Sequence, residues 1–300
     1  MNQKISFLFV LVTGAFIFCN CSFKEINGWQ EYGLHERVEW IKEVSYEANA
    51  AGQNGIHKGN RKRMIPESDF LINFDEKGRI LEKLEFRVED IEPMIKNYSD
   101  KLDTTDFIWK KYIYEYNNGG KKLKEIIYHP STLGTFVLNE ENIYNYNPKG
   151  DLTGIDSYNT NMYGGLELTK IIAITRDTKQ NRVEEYWTDT FGSILQIKIY
   201  IYEGLSDRIS EISIKDGYDP DFMMRVTYHY EEREDPTQLV YSYLLINESD
   251  SHHRYSDFDD MDVVFKYEYK YDEKGNWIQK IVFREDKPEY IIERIIQYYE

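Results

Sequence analysis

Acidic side chains crowd three short stretches of the chain, and hard oxygen ligands at such density are what a calcium ion takes. Asp257, Asp259, Asp260 and Asp262 form one group, Asp216, Asp219 and Asp221 a second, and Asp100, Asp103 and Asp106 a third. None has the ligand order and central glycine of an EF-hand loop. They read first as solvated loops and turn starts, with Ca²⁺ at the Asp257–Asp262 group as a weak candidate and no other cofactor expected. His252 and His253 adjoin that group, but adjacent side chains diverge, so they too read as surface. Two facing carboxylates could hydrolyse a glycosidic bond if they stood about 5–10 Å apart in space. With 53 acidic residues some pair always looks suitable, so a carbohydrate-active hydrolase is the alternative and a non-enzymatic protein the leading expectation. Trp29, Trp109 and Trp187 are the candidate ligand-binding aromatics, because a large rigid ring can stack on a sugar or anchor a protein partner. Phosphate-cradling loops, dinucleotide glycine fingerprints, His-Glu-x-x-His helices, cysteine-rich metal spacings and serine-hydrolase elbows are absent.

Charge narrows the partners. Lysine and arginine total 37 against those 53 acids, a formal net charge of −16 over 300 residues, and such a field repels polyphosphate. Nucleic acid and anionic membrane surfaces are therefore excluded as expected partners. Low hydropathy does not mean disorder here: aromatic residues reach 15%, with 26 tyrosines, whereas disordered chains are depleted in them. Lys4 followed by the apolar run Ile5 to Phe18 reads as a secretory signal, and the run is short for a membrane span of about 20 residues. Both cysteines, Cys19 and Cys21, end this segment. The segment resembles a bacterial lipoprotein signal, which implies cleavage before an acylated cysteine; Cys21, preceded by the compact Asn20, is the better candidate, and Cys19 stays open. An ordinary signal peptide or an uncleaved anchor through the same segment are the alternatives. Cleavage at Cys21 would leave no pair for a disulfide, so packing and ladder hydrogen bonds must hold the fold.

What positions these groups is a repeat. In Tyr267-Glu268-Tyr269-Lys270-Tyr271 the rings alternate with charges, which puts them on opposite faces of a strand. Asp272 to Asn276 supplies an acidic turn start and a glycine for positive φ, and Trp277 to Phe283 is the return strand of a hairpin. The same grammar recurs at Phe70–Phe74 through Asp75-Glu76-Lys77-Gly78-Arg79 to Ile80–Phe86, at Tyr112–Tyr116 through Asn117–Gly120 to Leu123–Tyr128, and at Tyr144–Tyr146 through Asn147–Asp151 to Leu152–Tyr158. Weaker copies turn at Asp177–Asn181, Glu203–Asp207 and Glu231–Pro236, a spacing of a few tens of residues typical of repeat architectures. Tyr-x-Tyr-Asp-x-x-Gly-Asn at 269–276 resembles the YD-repeat, or Rhs-like, motif of bacterial envelope and secreted proteins. The resemblance extends over most of residues 70–300, is close only at that copy, and implies β-hairpin repeats while saying little about activity. Large members of the family enclose a toxin; this chain supplies none.

Leu34 to Glu47 reads as a long strand with Val38, Trp40, Val44 and Tyr46 on one face. Residues 48–66 read as a polar, Gly-rich mobile loop, Glu89 to Asp100 as room for a short helix, and Tyr290 to Tyr299 as an apolar strand that closes or covers a sheet edge. The tyrosine rows of the repeat read as core, packing as cross-strand pairs. The expected fold is all-β: an elongated, twisted antiparallel β-meander of tandem hairpin repeats with few or no helices, a signal peptide over 1–20 and a single β-repeat domain over 21–300. The expected function is a lipid-anchored or exported protein of the cell envelope, outer membrane included, that binds a glycan or an envelope protein or serves as scaffold. It would touch the membrane through its N-terminal lipid alone. A structural or immunity-like partner of a secreted repeat protein is the third reading.

Overall fold

A computed structural model describes residues 27–50, 55–61, 69–87, 107–131, 134–204, 208–219, 222–245 and 262–300. Cys19, Cys21, the Glu89–Asp100 stretch and the Asp100–Asp106 group lie outside them. One four-residue helix, α1 (Gly28–Glu31), precedes seventeen strands: β1 (Val38–Ala50), β2 (Ile56–Arg61), β3 (Asp69–Phe74), β4 (Ile80–Arg87), β5 (Phe107–Tyr116), β6 (Lys122–Pro130), β7 (Phe136–Tyr146), β8 (Leu152–Thr160) and β9 (Leu166–Asp177), then β10 (Arg182–Thr188), β11 (Ile194–Tyr202), β12 (Ile209–Asp216), β13 (Phe222–Tyr230), β14 (Pro236–Leu245), β15 (Val263–Tyr271), β16 (Trp277–Arg284) and β17 (Lys287–Tyr298). All-β with almost no helix is what the tyrosine alternation requires.

The expectation of an open meander is corrected by the pairing. From β3 onward each strand pairs with the next, and β1 pairs antiparallel with β17 on one side, Ile41 opposite Ile296 and Tyr46 opposite Ile291, and with β3 on the other, Ile41 opposite Ile72. The circuit of sixteen strands is closed, the connectivity of a β-barrel. A period-2 pattern fixes which face a side chain takes, but an open and a closed ladder share it; only the long-range β1–β17 pairing separates them. The expectation that Tyr290 to Tyr299 meets a sheet edge is realised as that pairing. β2 stands outside the circuit, pairing with β1 through Ala48 opposite Lys58 and Ala50 opposite Ile56, so a strand occupies part of the stretch read as a loop. Trp40, Val44 and Tyr46 share a face of β1 as expected, but a bulge between Val38 and Trp40 turns Val38 to the other side.

One turn recurs along the ladder and explains the repeat. In Asp75–Arg79 the first residue's N–H donates to the fifth residue's carbonyl at 2.9 Å, the glycine's N–H donates back to Asp75 O at 2.9 Å, and Asp75 Oδ1 accepts from the N–H of Lys77 and of Arg79. Asn147–Asp151, Asn161–Gly165, Asp189–Ser193 and Asp272–Asn276 repeat this cage bond for bond. The fourth position is glycine each time and has φ between 78° and 89°, a left-handed conformation that a Cβ makes costly. This is the three-residue hairpin loop with its glycine bulge.

The chain forms two compact units. Unit 1 is Met1–Glu141, Glu268–Val282 and Pro288–Glu300; unit 2 is Asn142–Tyr267 and Phe283–Lys287. In unit 1 both faces of the sheet are covered near β1, β3 and β4. One cluster holds Ile72, Phe74, Ile80, Tyr112 and Tyr114, with Trp29 and Tyr32 of the α1 region packed on it, and the other holds Val44, Leu71, Leu84, Phe86 and Ile108. In unit 2 one face is buried, with Ile174, Val183, Tyr200, Ile212, Val226 and Tyr241 on it. Its exposed positions include His229 on β13 and Lys266 and Glu268 on β15, side chains that suit water.

Candidate functional site

Buried charge is the first place to look for chemistry, because an ionised group removed from water is retained only where it is paired or used. In unit 1, Arg294 donates to Glu43 Oε1 from Nη2 at 2.6 Å and from Nε at 2.8 Å, and its guanidinium lies 3.5 Å over the Trp277 ring. Lys83 and Glu85, two residues apart on one face of β4, pair at 3.0 Å. Burial alone would raise the Glu85 carboxyl, but Lys83 and Lys110 outweigh it and hold it below the usual range. Burial opposes the Lys83 charge as well, yet Tyr32 and Glu85 keep its ammonium firmly protonated. In unit 2, Glu185 and Lys198 are cross-strand partners, both almost wholly buried. Lys198 and Lys170 sit 4.1 and 4.4 Å from the Trp187 ring. Burial pushes the Glu185 carboxyl up, against the pull of Lys198 and the Trp187 indole. Each of these carboxylates spends its oxygens on neighbours within the fold, so the clusters hold strands together.

The tryptophans singled out from sequence are tied into the fold in the same way. The Trp29 indole donates to Val38 O at 2.7 Å, Trp109 donates to Glu85 at 3.3 Å beside the His129 ring, and Trp187 donates to Glu185 at 3.0 Å. The structure brings none of the three to a shared surface. Asp262 is exposed at the start of β15, while Asp257, Asp259 and Asp260 lie outside the described residues. Asp216 caps a turn by accepting from Tyr218 N–H at 2.7 Å. Of the row Tyr267, Tyr269 and Tyr271, the first is buried, and Tyr269 packs on Tyr271 and Trp277.

The exposed aromatic surface is elsewhere, at hairpin tips of unit 2. Because β8 to β13 run alternately up and down, the connections β8–β9, β10–β11 and β12–β13 fall at one end of this sheet, and β7–β8, β9–β10 and β11–β12 at the other. At the first end stand Met162 and Tyr163, both 89% exposed, Phe191 at 93% and Tyr218 at 80%. The third position of the recurring turn is Tyr163 or Phe191 there, but Lys149 in the β7–β8 turn of the same unit, and Lys77 and Lys274 in unit 1. Sequence reasoning missed Tyr163 and Phe191, although Asn161-Met162-Tyr163-Gly164-Gly165 and Asp189-Thr190-Phe191-Gly192-Ser193 spell the same turn as Asp272-Glu273-Lys274-Gly275-Asn276. Treating that five-residue signal as independent of the flanking tyrosines would have found them.

Fold and surface together define an all-β hairpin-repeat protein whose antiparallel ladder is closed. No family model matches the chain, and no curated protein matches it. Among solved structures, a porin-like protein from Bacteroides uniformis aligns over 87% of this chain and 96% of its own at 11% identity and a TM-score of 0.48. A Bacteroides fragilis protein of unknown function aligns over 39% and 81% at 16% identity and a TM-score of 0.28. A chain of the TcdB2-TccC3-Cdc42 complex aligns over 86% of this chain but 15% of its own, at 13% identity and a TM-score of 0.25.

Proposed function

We propose that this is an exported, lipid-anchored protein of the bacterial cell envelope, built on YD-repeat-like hairpins, that works without catalysis as a binding or scaffold module. The contrast between the two sets of turns carries this reading. Folding demands the same glycine-bearing cage at both ends of unit 2, yet large apolar side chains occupy its apex at one end only, where they pack on nothing that the cage requires. Contiguous exposed apolar surface of this kind marks an interaction site. The buried carboxylates support the non-enzymatic half of the reading, since Glu43, Glu85 and Glu185 are each committed to a cation or an indole within the fold.

Two measurements test it. Labelling with a radioactive fatty acid in a Gram-negative host should mark the wild-type chain and not Cys21→Ser; label retained by the variant removes the anchor. The purified protein should then bind envelope preparations saturably in a sedimentation assay and release no product from chromogenic glycosides. Absence of saturable binding, or sustained glycoside turnover, overturns the binding-module reading.

A further inference from the structure

We infer that the aromatic tips of unit 2 form a linear platform for an extended, uncharged polysaccharide, an inference that rests on the binding-module reading and names its ligand class. Three consecutive hairpins contribute. Neighbouring strands lie about 4.8 Å apart, so the apices of hairpins two strands apart recur at about 10 Å and the row of three spans roughly 20 Å. That interval matches the disaccharide repeat of an extended β-linked chain. A periodic row of rings suits a periodic polymer, whereas the surface of a folded protein offers no such repeat.

Each ring is presented by a rigid support. Asn161 Oδ1 accepts from the N–H of Tyr163 and Gly165, Asp189 Oδ1 from those of Phe191 and Ser193, and Asp216 Oδ1 from that of Tyr218. The second and third hairpins are also locked side by side. Gly217 donates its N–H to Leu195 O at 3.0 Å, and a Cβ at Gly217 would lie 1.9 Å from Ile194 O, so only glycine permits this approach. Preorganised rings lose little entropy when a ligand stacks on them, and their faces attract the C–H-bearing faces of sugars by dispersion and burial. Asn161, Thr190, Ser193 and Asp219 stand beside the rings and offer hydrogen-bond partners for hydroxyls.

Charge chooses the class of glycan. No lysine or arginine occurs in residues 161–165, 189–193 or 216–219, while Asp189, Asp216 and Asp219 do. The backbone N–H of Ser193 and its fellows hold the Asp189 carboxyl below its ordinary range, so it is ionised throughout the physiological window. A row of carboxylates in a chain of net charge −16 repels uronates, sulfated glycans and anionic headgroups alike, which leaves an uncharged chain as the occupant.

The test is calorimetric titration of the full chain with di-, tetra- and hexasaccharides of β-1,4-linked glucose, xylose and N-acetylglucosamine. Affinity for at least one series should climb with each added pair of sugars up to the hexasaccharide. Phe191→Ser should weaken the hexasaccharide about tenfold, the order expected for one stacked ring. Tyr163→Ser/Phe191→Ser/Tyr218→Ser should abolish binding, while Lys149→Ser at the opposite end leaves it unchanged. Circular dichroism and the thermal midpoint check that each variant is folded, and the single Phe191→Ser variant decides the matter if the triple one is not. Binding that ignores chain length or survives the tip substitutions, absence of binding across all three series, or tip-dependent binding to phosphatidylcholine vesicles instead, would each overturn the inference. Saturable envelope binding without any oligosaccharide binding sinks the glycan platform and spares the binding module.

Discussion

Asn276 occupies the fifth position of the best-preserved repeat turn, and its replacement tests how that motif closes the ladder. The side chain is fully buried. Its Oδ1 accepts from His35 N–H at 2.7 Å, and its Nδ2 donates to His35 O at 3.0 Å and to Tyr298 Oη at 2.7 Å. One amide thereby pairs, as a strand would, with the segment leading into β1, and at the same time grips the end of β17; the Tyr298 hydroxyl passes the contact on to Asp272. His35 is exposed, so water can take over its backbone groups in Asn276→Ala. The loss is then the net value of three hydrogen bonds, about 3 kcal/mol at roughly 1 kcal/mol each. For a domain of this size that corresponds to a fall of about 6–12 °C in thermal midpoint. Asn276→Asp keeps the acceptor but turns two donations into contacts between oxygens, and should cost at least as much. Urea unfolding with an unchanged m-value reads the difference. A loss below about 0.5 kcal/mol, the scatter of ordinary surface substitutions, or an Asp variant as stable as wild type, would refute the claim that this amide fastens the closure.

Glu85→Gln strands the buried Lys83 ammonium and should destabilise by about 3–5 kcal/mol near neutral pH, measured by denaturant titration. Because the Glu85 carboxyl is held below its usual value, its contribution is complete above the unfolded-state value and fades as pH falls through the lower folded value. The gap between variant and wild type should therefore close in acid; a constant gap would exclude the charge pair as its cause. Gly78→Ala combines positive φ with a Cβ 2.6 Å from the Trp29 ring and should cost about 3 kcal/mol, strain and overpacking together. Gly120→Ala has the same φ problem and nothing within 4 Å, so it should cost about 1 kcal/mol; equal losses in urea would remove the Trp29 contact from the account.

Local periodicity was legible and global closure was not. Tyr112, Tyr114 and Tyr116 alternate with charges, and Gly78, Gly150 and Gly275 reverse the chain at positive φ between paired strands, as the turn grammar requires. β1–β17 pairing joins residues about 250 positions apart, and no local signal encodes it. The bulge that turns Val38 away from Trp40 was equally hidden, because strict alternation cannot announce the extra residue. At the surface, tryptophan was the natural choice for an exposed anchor. Trp29, Trp109 and Trp187 each carry an N–H that finds a buried acceptor, whereas Phe191 has no polar atom to satisfy, and Tyr163 and Tyr218 can leave theirs in water.

An unbroken ring of antiparallel neighbours obeys a parity rule. Strand directions must alternate all the way round, so the number of members has to be even; an odd count would force the first and last to run the same way. Sixteen satisfies this, and β2, attached beside β3 on β1, is spared from the count. Duplication or deletion within this gene can therefore preserve the fold only in whole up-and-down pairs, which makes the hairpin, and not the single strand, the unit by which such a molecule can grow or shrink.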